Sequence, residues 1–212
     1  MKKIITYLIL VIFIIAGILF FLTRVPAVQD ALFQRLAQNL ISTAPNIFPE
    51  EDSLSALVCG SKSPLPHPTR AETCVMIKAG DETFIFDVGN KSIDNLRNWR
   101  VPLNQLNSIF ISHLHSDHIA ELPEIHMWNW IGTGRQSKLK VYGPEGINQV
   151  LNGFTEAFSL DWKYRNDHHG DKFAPLNAAG FDGYEITDFS EPVYESNGCL
   201  LYTSPSPRDD VI

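Results

Sequence analysis

The sequence predicts a layered α/β domain that follows an apolar N-terminal helix. Strand-like apolar runs alternate with segments whose apolar residues recur at helical spacing, which is typical of a sheet covered by helices. An uncharged stretch from Ile4 to Leu22 precedes this alternation. A third observation bears on function, because the histidines and aspartate between His113 and His118 directly follow one of the apolar runs.

Residues 1–24 are predicted to form a membrane anchor or a signal peptide. Lys2 and Lys3 precede the uncharged stretch, which is long enough to span a bilayer, and Arg24 follows it. An uncleaved anchor fits better than a cleaved signal, because the stretch exceeds a usual signal core and no small-residue cleavage site follows. A buried helix of a soluble protein is the remaining alternative. With the lysines inside, the rest of the chain would lie outside the cytoplasm.

Residues 25–54 are predicted to connect this segment to a folded domain at residues 55–198. Leu32, Leu36 and Leu40 give the connector helical spacing. The strand-like runs of the domain are Ala56–Cys59, Cys74–Ile77, Thr83–Val88, Ser108–Ile111, Leu139–Gly143 and Pro192–Ser196, the last followed by the hairpin dipeptide Asn197-Gly198. The helical segments are Ser92–Trp99, the positions Ile119, Leu122, Ile125 and Trp128, and Glu145–Phe158 with Pro144 as its first residue.

The segment His113-Leu114-His115-Ser116-Asp117-His118 predicts a metal centre. In an extended chain His113, His115 and Asp117 point to one side, and a turn into a helix capped by Ser116 brings His118 to them. Neutral imidazoles and a carboxylate suit zinc, and less selectively iron or manganese. Four side chains so close together could hold one ion or two.

Several residues outside this segment can also be interpreted from the sequence alone. Asp87 ends a strand beside a glycine, which is typical of a turn. His126 has the spacing of a helix-face residue and is predicted to be structural. His168 and His169 lie in a polar segment ending in glycine, where they are either solvated or a further pair of metal ligands. Cys59 and Cys74 either form a disulfide, which an exported domain favours, or are free thiols.

The motif and its setting resemble the metallo-β-lactamase superfamily of hydrolases. From Leu57 to about Tyr184 the sequence is most similar to the branch that contains ribonuclease Z and the arylsulfatase-like enzymes. The resemblance implies a four-layer αββα sandwich, of which this chain would contain the N-terminal half to two-thirds. The Gly-x-Gly-like turn of the family's first loop is absent, because Ser61 and Lys62 follow Gly60.

The resemblance also implies roles for individual residues. His113 and His115 would hold one Zn²⁺ ion, while Asp117 and His118 would hold a second in the full-length protein. Asp117 would additionally contact the attacking hydroxide and so act in catalysis. Asp87 would lie behind the ligands and orient them by hydrogen bonding. Redox diiron members of the superfamily place a glutamate where this chain has His115, so the resemblance implies hydrolysis instead of oxygen chemistry.

A further similarity concerns the segment Tyr164–Gly170. A comparable Tyr-Arg-x-x-His-His-Gly loop occurs in the arylsulfatase-like branch apart from its metal ligands. His168 and His169 are therefore assigned as loop or substrate-side residues in preference to metal ligands.

The end of the chain departs from the family pattern. Where the family continues towards its third metal-binding histidine, Cys199 to Asp209 resembles the translation of a transposase adapter used in sequencing libraries. We therefore expect residues 199–212 to be a non-native tail.

Composition and resemblance together give the functional expectation. The formal charge of −7 offers no basic stripe for a nucleic acid, so no nucleic-acid partner is expected. The expected activity is zinc-dependent hydrolysis of a small-molecule ester, with a sulfate or phosphate ester first and lactones or thioesters next. The alternative is an inactive fragment that binds metal weakly. The membrane would be contacted through the N-terminal helix, and the oligomeric state is left open.

Overall fold

A computed structural model describes residues 2–42, 47–49, 53–188, 190–196 and 199–202 of the chain, with backbone alone at 2–3, 33–34 and 37–42. The chain divides into two compact units, Met1–Thr43 and Ala44–Ile212. Each unit is described by itself below.

The N-terminal unit consists of two helices, α1 (Lys2–Leu22) and α2 (Pro26–Ser42). Pro26 suits the first position of α2, where a backbone donor has no helical acceptor. The residues Ile4–Leu22 have a mean hydropathy of 3.0 and expose their side chains, and this is the one segment in the described parts of the chain long and apolar enough to cross a membrane. A signal sequence has the same properties. The choice between anchor and signal, and the location outside the cytoplasm, therefore stay predictions.

The second unit is built on a six-stranded sheet with its strands in sequence order. The first three strands pair antiparallel, and the third to sixth pair parallel. The strands are β1 (Leu54–Gly60), β2 (Cys74–Ala79), β3 (Glu82–Phe86), β4 (Leu106–Phe110), β5 (Leu139–Gly143) and β6 (Phe181–Glu185). The helices are α3 (Ser92–Asn98), α4 (Ser116–Ile119), α5 (Leu122–Met127) and α6 (Ile147–His169), with a π-helical turn at Trp128–Gly132 and 3₁₀ turns at Leu103–Gln105 and Leu176–Ala178. The predicted α/β class with a central sheet is confirmed.

One face of the sheet carries the helices and the core. The parallel strands follow one another in order, and right-handed crossovers then place every connecting helix on the same face. Met76, Ile85, Ile109 and Val141 form a cross-strand row on this face, and each is completely buried. The alternating strand pattern therefore positions one continuous core under α3, α5 and α6.

The opposite face carries a row of stacked aromatic rings, Phe86, Phe110, Tyr142 and Tyr184, with centroids 4.7–5.1 Å apart. Two further strands, β7 (Tyr194–Ser196) and β8 (Cys199–Leu201), pair antiparallel, with Ser196 opposite Cys199, and the predicted hairpin dipeptide Asn197-Gly198 lies outside the described residues. The Tyr194 ring stands edge-on to Phe110 and Tyr142, so β7 lies over this aromatic row. The described residues thus contain the helix layer and the six-stranded sheet of the expected four-layer architecture, with a β-strand pair on the second face.

Two predicted helix starts are wrong. The N-cap of α4 is His115 and no side chain caps it, so Ser116 is the first helical residue and not the cap. Pro144 does not begin α6, because Gly146 at φ 94° is the N-cap and the helix starts at Ile147. A left-handed glycine marks this start, a signal that the proline obscured in the sequence.

The helical segment after the motif is also shorter and more broken than its apolar spacing predicts. It divides at Ala120-Glu121 into α4 and α5, and then changes to a π-helical turn. Conversely, α6 continues through the predicted loop Tyr164–Gly170 and ends at His169, where Gly170 terminates it. His168 and His169 are therefore last-turn residues of a helix, and their description as loop residues is wrong.

The two cysteines of the domain are paired. Cys59 at the end of β1 and Cys74 at the start of β2 form a disulfide that is completely buried. The side-chain amide of Asn95 in α3 donates to the Cys59 carbonyl at 2.8 Å, so the bridge is also tied to the helix layer.

Candidate metal centre

The candidate site lies where the parallel strands β3 and β4 end. Asp87 directly follows β3, and the segment His113–His118 connects β4 to α4. Carboxyl ends of neighbouring parallel strands meet at one edge of a sheet, and this edge is where α/β proteins bind ligands. The topology therefore brings a carboxylate and the histidine motif together although they are far apart in sequence.

Backbone hydrogen bonds attach the motif to the turn after β3. The Asp87 amide donates to the Phe110 carbonyl at 2.9 Å, and the Val88 amide donates to the His118 carbonyl at 2.8 Å. A Cβ atom on Gly89 would lie 2.1 Å from the Asp117 carbonyl oxygen, so this close approach requires glycine. The two segments are consequently fixed against each other before any metal is considered.

The Asp87 carboxylate binds Ser112, which precedes the motif, and His118, which ends it. It is 6 % exposed, and its Oδ1 accepts a hydrogen bond from the Ser112 amide at 2.8 Å. Its Oδ2 accepts from the Ser112 hydroxyl and pairs with His118 Nδ1, both at 2.8 Å. Because a carboxylate accepts the Nδ1 proton, the neutral His118 ring keeps its lone pair on Nε2. This is the tautomer that a metal-binding imidazole needs.

The free nitrogen of His118 faces the next carboxylate. His118 Nε2 is 3.5 Å from Asp117 Oδ2, and the Asp117 residue is 6 % exposed. Two ligands bound about 2.0–2.2 Å from one tetrahedral zinc ion are themselves about 3.3–3.6 Å apart. The separation between these two atoms therefore fits one edge of a zinc coordination sphere.

The other two histidines of the motif lie on the exposed side of His118. The His113 ring is 3.9 Å from the His118 ring and 4.8 Å from the His115 ring, between centroids. Burial lowers the pKa of His113, and the neighbouring His118 and His115 rings lower it further. Neutral imidazoles are the form in which histidine ligates metals.

Each side chain of the motif lies beside the next in the spatial order His115, His113, His118 and Asp117. Among the residues that the structure describes, no set of three or more His, Cys, Asp or Glu side chains is arranged around a single ion. The donor chemistry and the His118–Asp117 separation nevertheless fit zinc. Ser112 also belongs to the site, although its role was not predicted from the sequence. Its hydroxyl lies 3.1 Å from His113 Nδ1 and 3.3 Å from His118 Nδ1.

His126 lies elsewhere, in the core, as predicted. It is 1 % exposed, its Nε2 accepts a hydrogen bond from the Gly180 amide at 2.8 Å, and its ring packs against Trp130, Trp162 and Phe181. Burial lowers its pKa to about 4. It is a neutral structural histidine.

The structure does not bring His168 and His169 to the motif. A side chain at Gly146, before the first turn of α6, would meet Leu114 of the motif at 3.2 Å. The two histidines occupy the other end of α6, and a rise of about 1.5 Å per residue separates the ends by about 30 Å. Residues at that distance cannot complete the coordination of an ion at the motif.

Two glutamates near the motif were not singled out from the sequence. Glu72 precedes β2 and accepts a hydrogen bond from the Asn90 amide, whereas Glu121 follows α4 after one intervening residue and accepts from the amides of Lys91 and Ile93. A sequence signal exists only for Glu121, as an acidic residue that interrupts the apolar spacing after the motif. Nothing in the sequence indicates the role of Glu72.

Comparisons with known proteins found one matching family model and several curated relatives. A family model described as "Anti-Pycsar protein Apyc1" matches residues 57–161. Ribonuclease Z of Mycobacterium marinum is 31% identical over 154 residues, which are 72% of this chain and 53% of that protein. Ribonuclease Z of Mycobacterium sp. strain KMS is 32% identical over 160 residues, 74% of this chain and 54% of that protein. The chain thus spans about half the length of the curated relatives it matches.

The solved structures that are similar to this chain include the following two. The metallo-β-lactamase fold protein YhfI from Bacillus subtilis has 19% identity and a TM-score of 0.47, covering 68% of this chain and 49% of its own. The short form of human tRNase Z has 24% identity and a TM-score of 0.42, covering 50% and 39%.

One expectation from the sequence is wrong. The formal charge of −7 led us to expect a small-molecule ester and no nucleic-acid partner, yet the curated relatives are ribonucleases. Net charge describes the average field of the whole chain, whereas nucleic acids are bound by a local surface. An acidic net charge is therefore compatible with the similarity of this chain to ribonucleases.

Proposed function

We propose that this chain, which has the metallo-β-lactamase fold and is close in sequence to ribonuclease Z, belongs to a zinc-dependent hydrolase that cleaves phosphodiester bonds in RNA. The observation that carries the proposal is the hydrogen-bonded series Ser112–Asp87–His118, which leaves His118 Nε2 free and facing Asp117. A neutral imidazole oriented by a buried carboxylate is the arrangement that metal sites use.

Each residue of the motif has a role in this proposal. His113 and His115 would bind one zinc ion, and Asp117 and His118 would bind the other. Bound zinc supplies a water of lowered pKa and stabilises the charge that develops on the phosphate. The second carboxylate oxygen of Asp117 can accept the proton of the attacking water, while Asp87 keeps His118 in its ligating tautomer.

The number of ligands limits what the motif does alone. Two side chains for each ion are fewer than the three or four protein ligands of zinc sites, so further ligands must lie outside the motif. The activity, the RNA substrate and the pair of ions are therefore proposed for the whole protein. The relatives named ribonuclease Z support the choice of an RNA phosphodiester as the substrate.

The proposal is tested by assaying the whole protein on four substrates: a structured RNA, bis(p-nitrophenyl) phosphate, p-nitrophenyl phosphate and p-nitrophenyl sulfate. We expect cleavage of the RNA and the phosphodiester, loss of both activities on chelation, and recovery when Zn²⁺ is added. Asp117→Asn should lower the rate by at least about 100-fold, since it removes both a ligand and the proton acceptor. Cleavage of the sulfate ester alone, or zinc binding without phosphodiester cleavage, would refute the proposal.

A further inference from the structure

The turn that carries Asp87 has an unfavourable backbone conformation. Asp87 has φ 60° and Lys91 has φ 67°, although neither is glycine. L-residues adopt this left-handed region at an energetic cost, and such residues persist only where surrounding contacts fix them. The turn between Asp87 and Ile93 therefore needs contacts that hold it in place.

One set of these contacts comes from Glu72. Its side chain is almost completely buried, and its Oε2 accepts a hydrogen bond from the Asn90 amide at 2.9 Å. Its Oε1 forms an ion pair with Lys62 Nζ at 2.7 Å, and its own backbone amide donates to the Asn90 carbonyl at 3.0 Å. Lys62 thus occupies the loop position where the Gly-x-Gly-like turn is absent and neutralises the buried carboxylate.

The other set comes from Glu121, three residues after the end of the motif. Its two carboxylate oxygens accept hydrogen bonds from the amides of Lys91 and Ile93, the second at 2.7 Å. Its own amide donates to the Val88 carbonyl at 2.9 Å. One residue therefore joins the motif to both ends of the turn.

We propose that Glu72 and Glu121 are positioning residues that clamp the Asp87–Ile93 turn and thereby set the orientation of His118. In the described part of the chain their carboxylates accept from amides between Asn90 and Ile93, so they act on His118 through the turn, which reaches it by the Asp87 carboxylate and the Val88 amide. Three amides of the turn, at Asn90, Lys91 and Ile93, are satisfied by these two carboxylates. Displacement of the turn would move the Asp87 carboxylate away from His118 Nδ1, and the preference for the tautomer protonated at Nδ1 would be lost.

The inference rests on the proposed function only where zinc is concerned, so the first test uses the metal-free chain. Amide hydrogen exchange is measured in the wild type, Glu72→Gln and Glu121→Gln. We expect about tenfold or greater acceleration at Lys91 and Ile93 in the Glu121 variant, and at Asn90 in the Glu72 variant, because an amide loses a charged acceptor. Glu185→Gln is the matched control, since the Glu185 carboxylate accepts from the amides of Gly146 and Asn148 at the start of α6.

The second test reads out His118 itself. Long-range ¹⁵N–¹H spectra of the metal-free protein report which ring nitrogen carries the proton. The wild type and Glu185→Gln should show a protonated His118 Nδ1, whereas Glu121→Gln and Glu72→Gln should show a mixture of tautomers. In zinc titrations of the whole protein the two clamp variants should bind up to about tenfold more weakly, less than the loss expected from removing Asp87 itself.

The outcomes separate the possibilities. Faster exchange of the turn amides with an unchanged His118 tautomer would make both glutamates merely structural and would overturn the inference. A shifted tautomer in a protein that cleaves no phosphodiester would refute the proposed function and leave the clamp standing. Because the two variants remove different contacts, one of them remains informative if the other fails to fold.

Discussion

His118 and His126 lie close together in the sequence, yet the structure gives them opposite environments. The His118 side chain is 13% exposed, with Asp87 on one ring nitrogen and Asp117 facing the other. His126 is 1 % exposed and has aromatic rings around it, and a backbone amide donates to its Nε2. The same residue type therefore serves two different purposes within one segment of the chain.

Both rings keep a lone pair on Nε2, and the difference is decided by whether a protein donor already uses it. In His118 the carboxylate takes the Nδ1 proton and leaves Nε2 available for an ion. In His126 the lone pair of Nε2 is already used by the Gly180 amide, and no exit towards solvent remains. The hydrogen-bond partners of the two ring nitrogens therefore indicate whether a histidine can bind a metal, and they do so better than its spacing in the sequence.

The largest expected effect is on metal binding at His118. His118→Ala should lower the affinity of the whole protein for zinc by at least about 100-fold, because it removes a ligand outright. His126→Gln, which keeps a hydrogen-bond acceptor for the Gly180 amide, should leave the zinc affinity within about twofold of the wild type. Competition titration against a chromogenic chelator measures both. Equal losses in the two variants would abolish the distinction between the histidines.

An intermediate effect is expected on the pH dependence of stability at His126. Its folded pKa of about 4 lies below the ordinary value of 6.5, so the fold favours the neutral ring. Above pH 6.5 the ring is neutral in the folded and the unfolded protein, and its contribution to the free energy of unfolding is complete. This contribution is lost between pH 6.5 and about 4, where only the unfolded chain takes up the proton. The loss amounts to about 3 kcal/mol at most.

Denaturant unfolding at a series of pH values tests this effect. The His126→Gln variant should lose less stability than the wild type on acidification over that range, because glutamine does not titrate. Parallel pH profiles for the two proteins would show that His126 is not the group responsible.

The smallest effect is expected at the far end of α6. His168→Ala should leave zinc affinity unchanged and alter the free energy of unfolding by no more than about 0.5 kcal/mol, since the side chain is exposed in the last helical turn. The same titration and unfolding measurements apply. A fall in zinc affinity would require His168 to approach the motif, which the helix geometry forbids.

Much of the fold followed from local patterns in the sequence. The strand Leu139–Gly143 was predicted where it occurs, and the strand predicted at Pro192–Ser196 occurs at Tyr194–Ser196, because alternating patterns act over a few residues. The start of α6 was predicted incorrectly, because a proline and a nearby glycine compete as boundary signals. Its extension to His169 was also missed, since the Tyr164–Gly170 segment resembled a loop of the related branch.

The partners of the motif residues followed from the sequence only through family resemblance. Without the resemblance, the position of Asp87 favoured a turn over a supporting role, and its contact with His118 depends on β3 and β4 lying side by side. Glu72 and Glu121 gave no comparable signal. Their hydrogen bonds join residues that are distant in sequence, which no local periodicity encodes.

The donor atoms of the candidate site can be read from the amino-acid order: three imidazoles and a carboxylate lie within one short segment, after an apolar strand that places them at a sheet edge. Tertiary structure alone decided how those donors are oriented. Orientation depends on the Asp87 carboxylate and on the turn that holds it, and these reach the motif only when parallel strands pair. The physical reason is that ligand identity is a property of side chains, whereas tautomer and direction are properties of the hydrogen bonds that the fold makes.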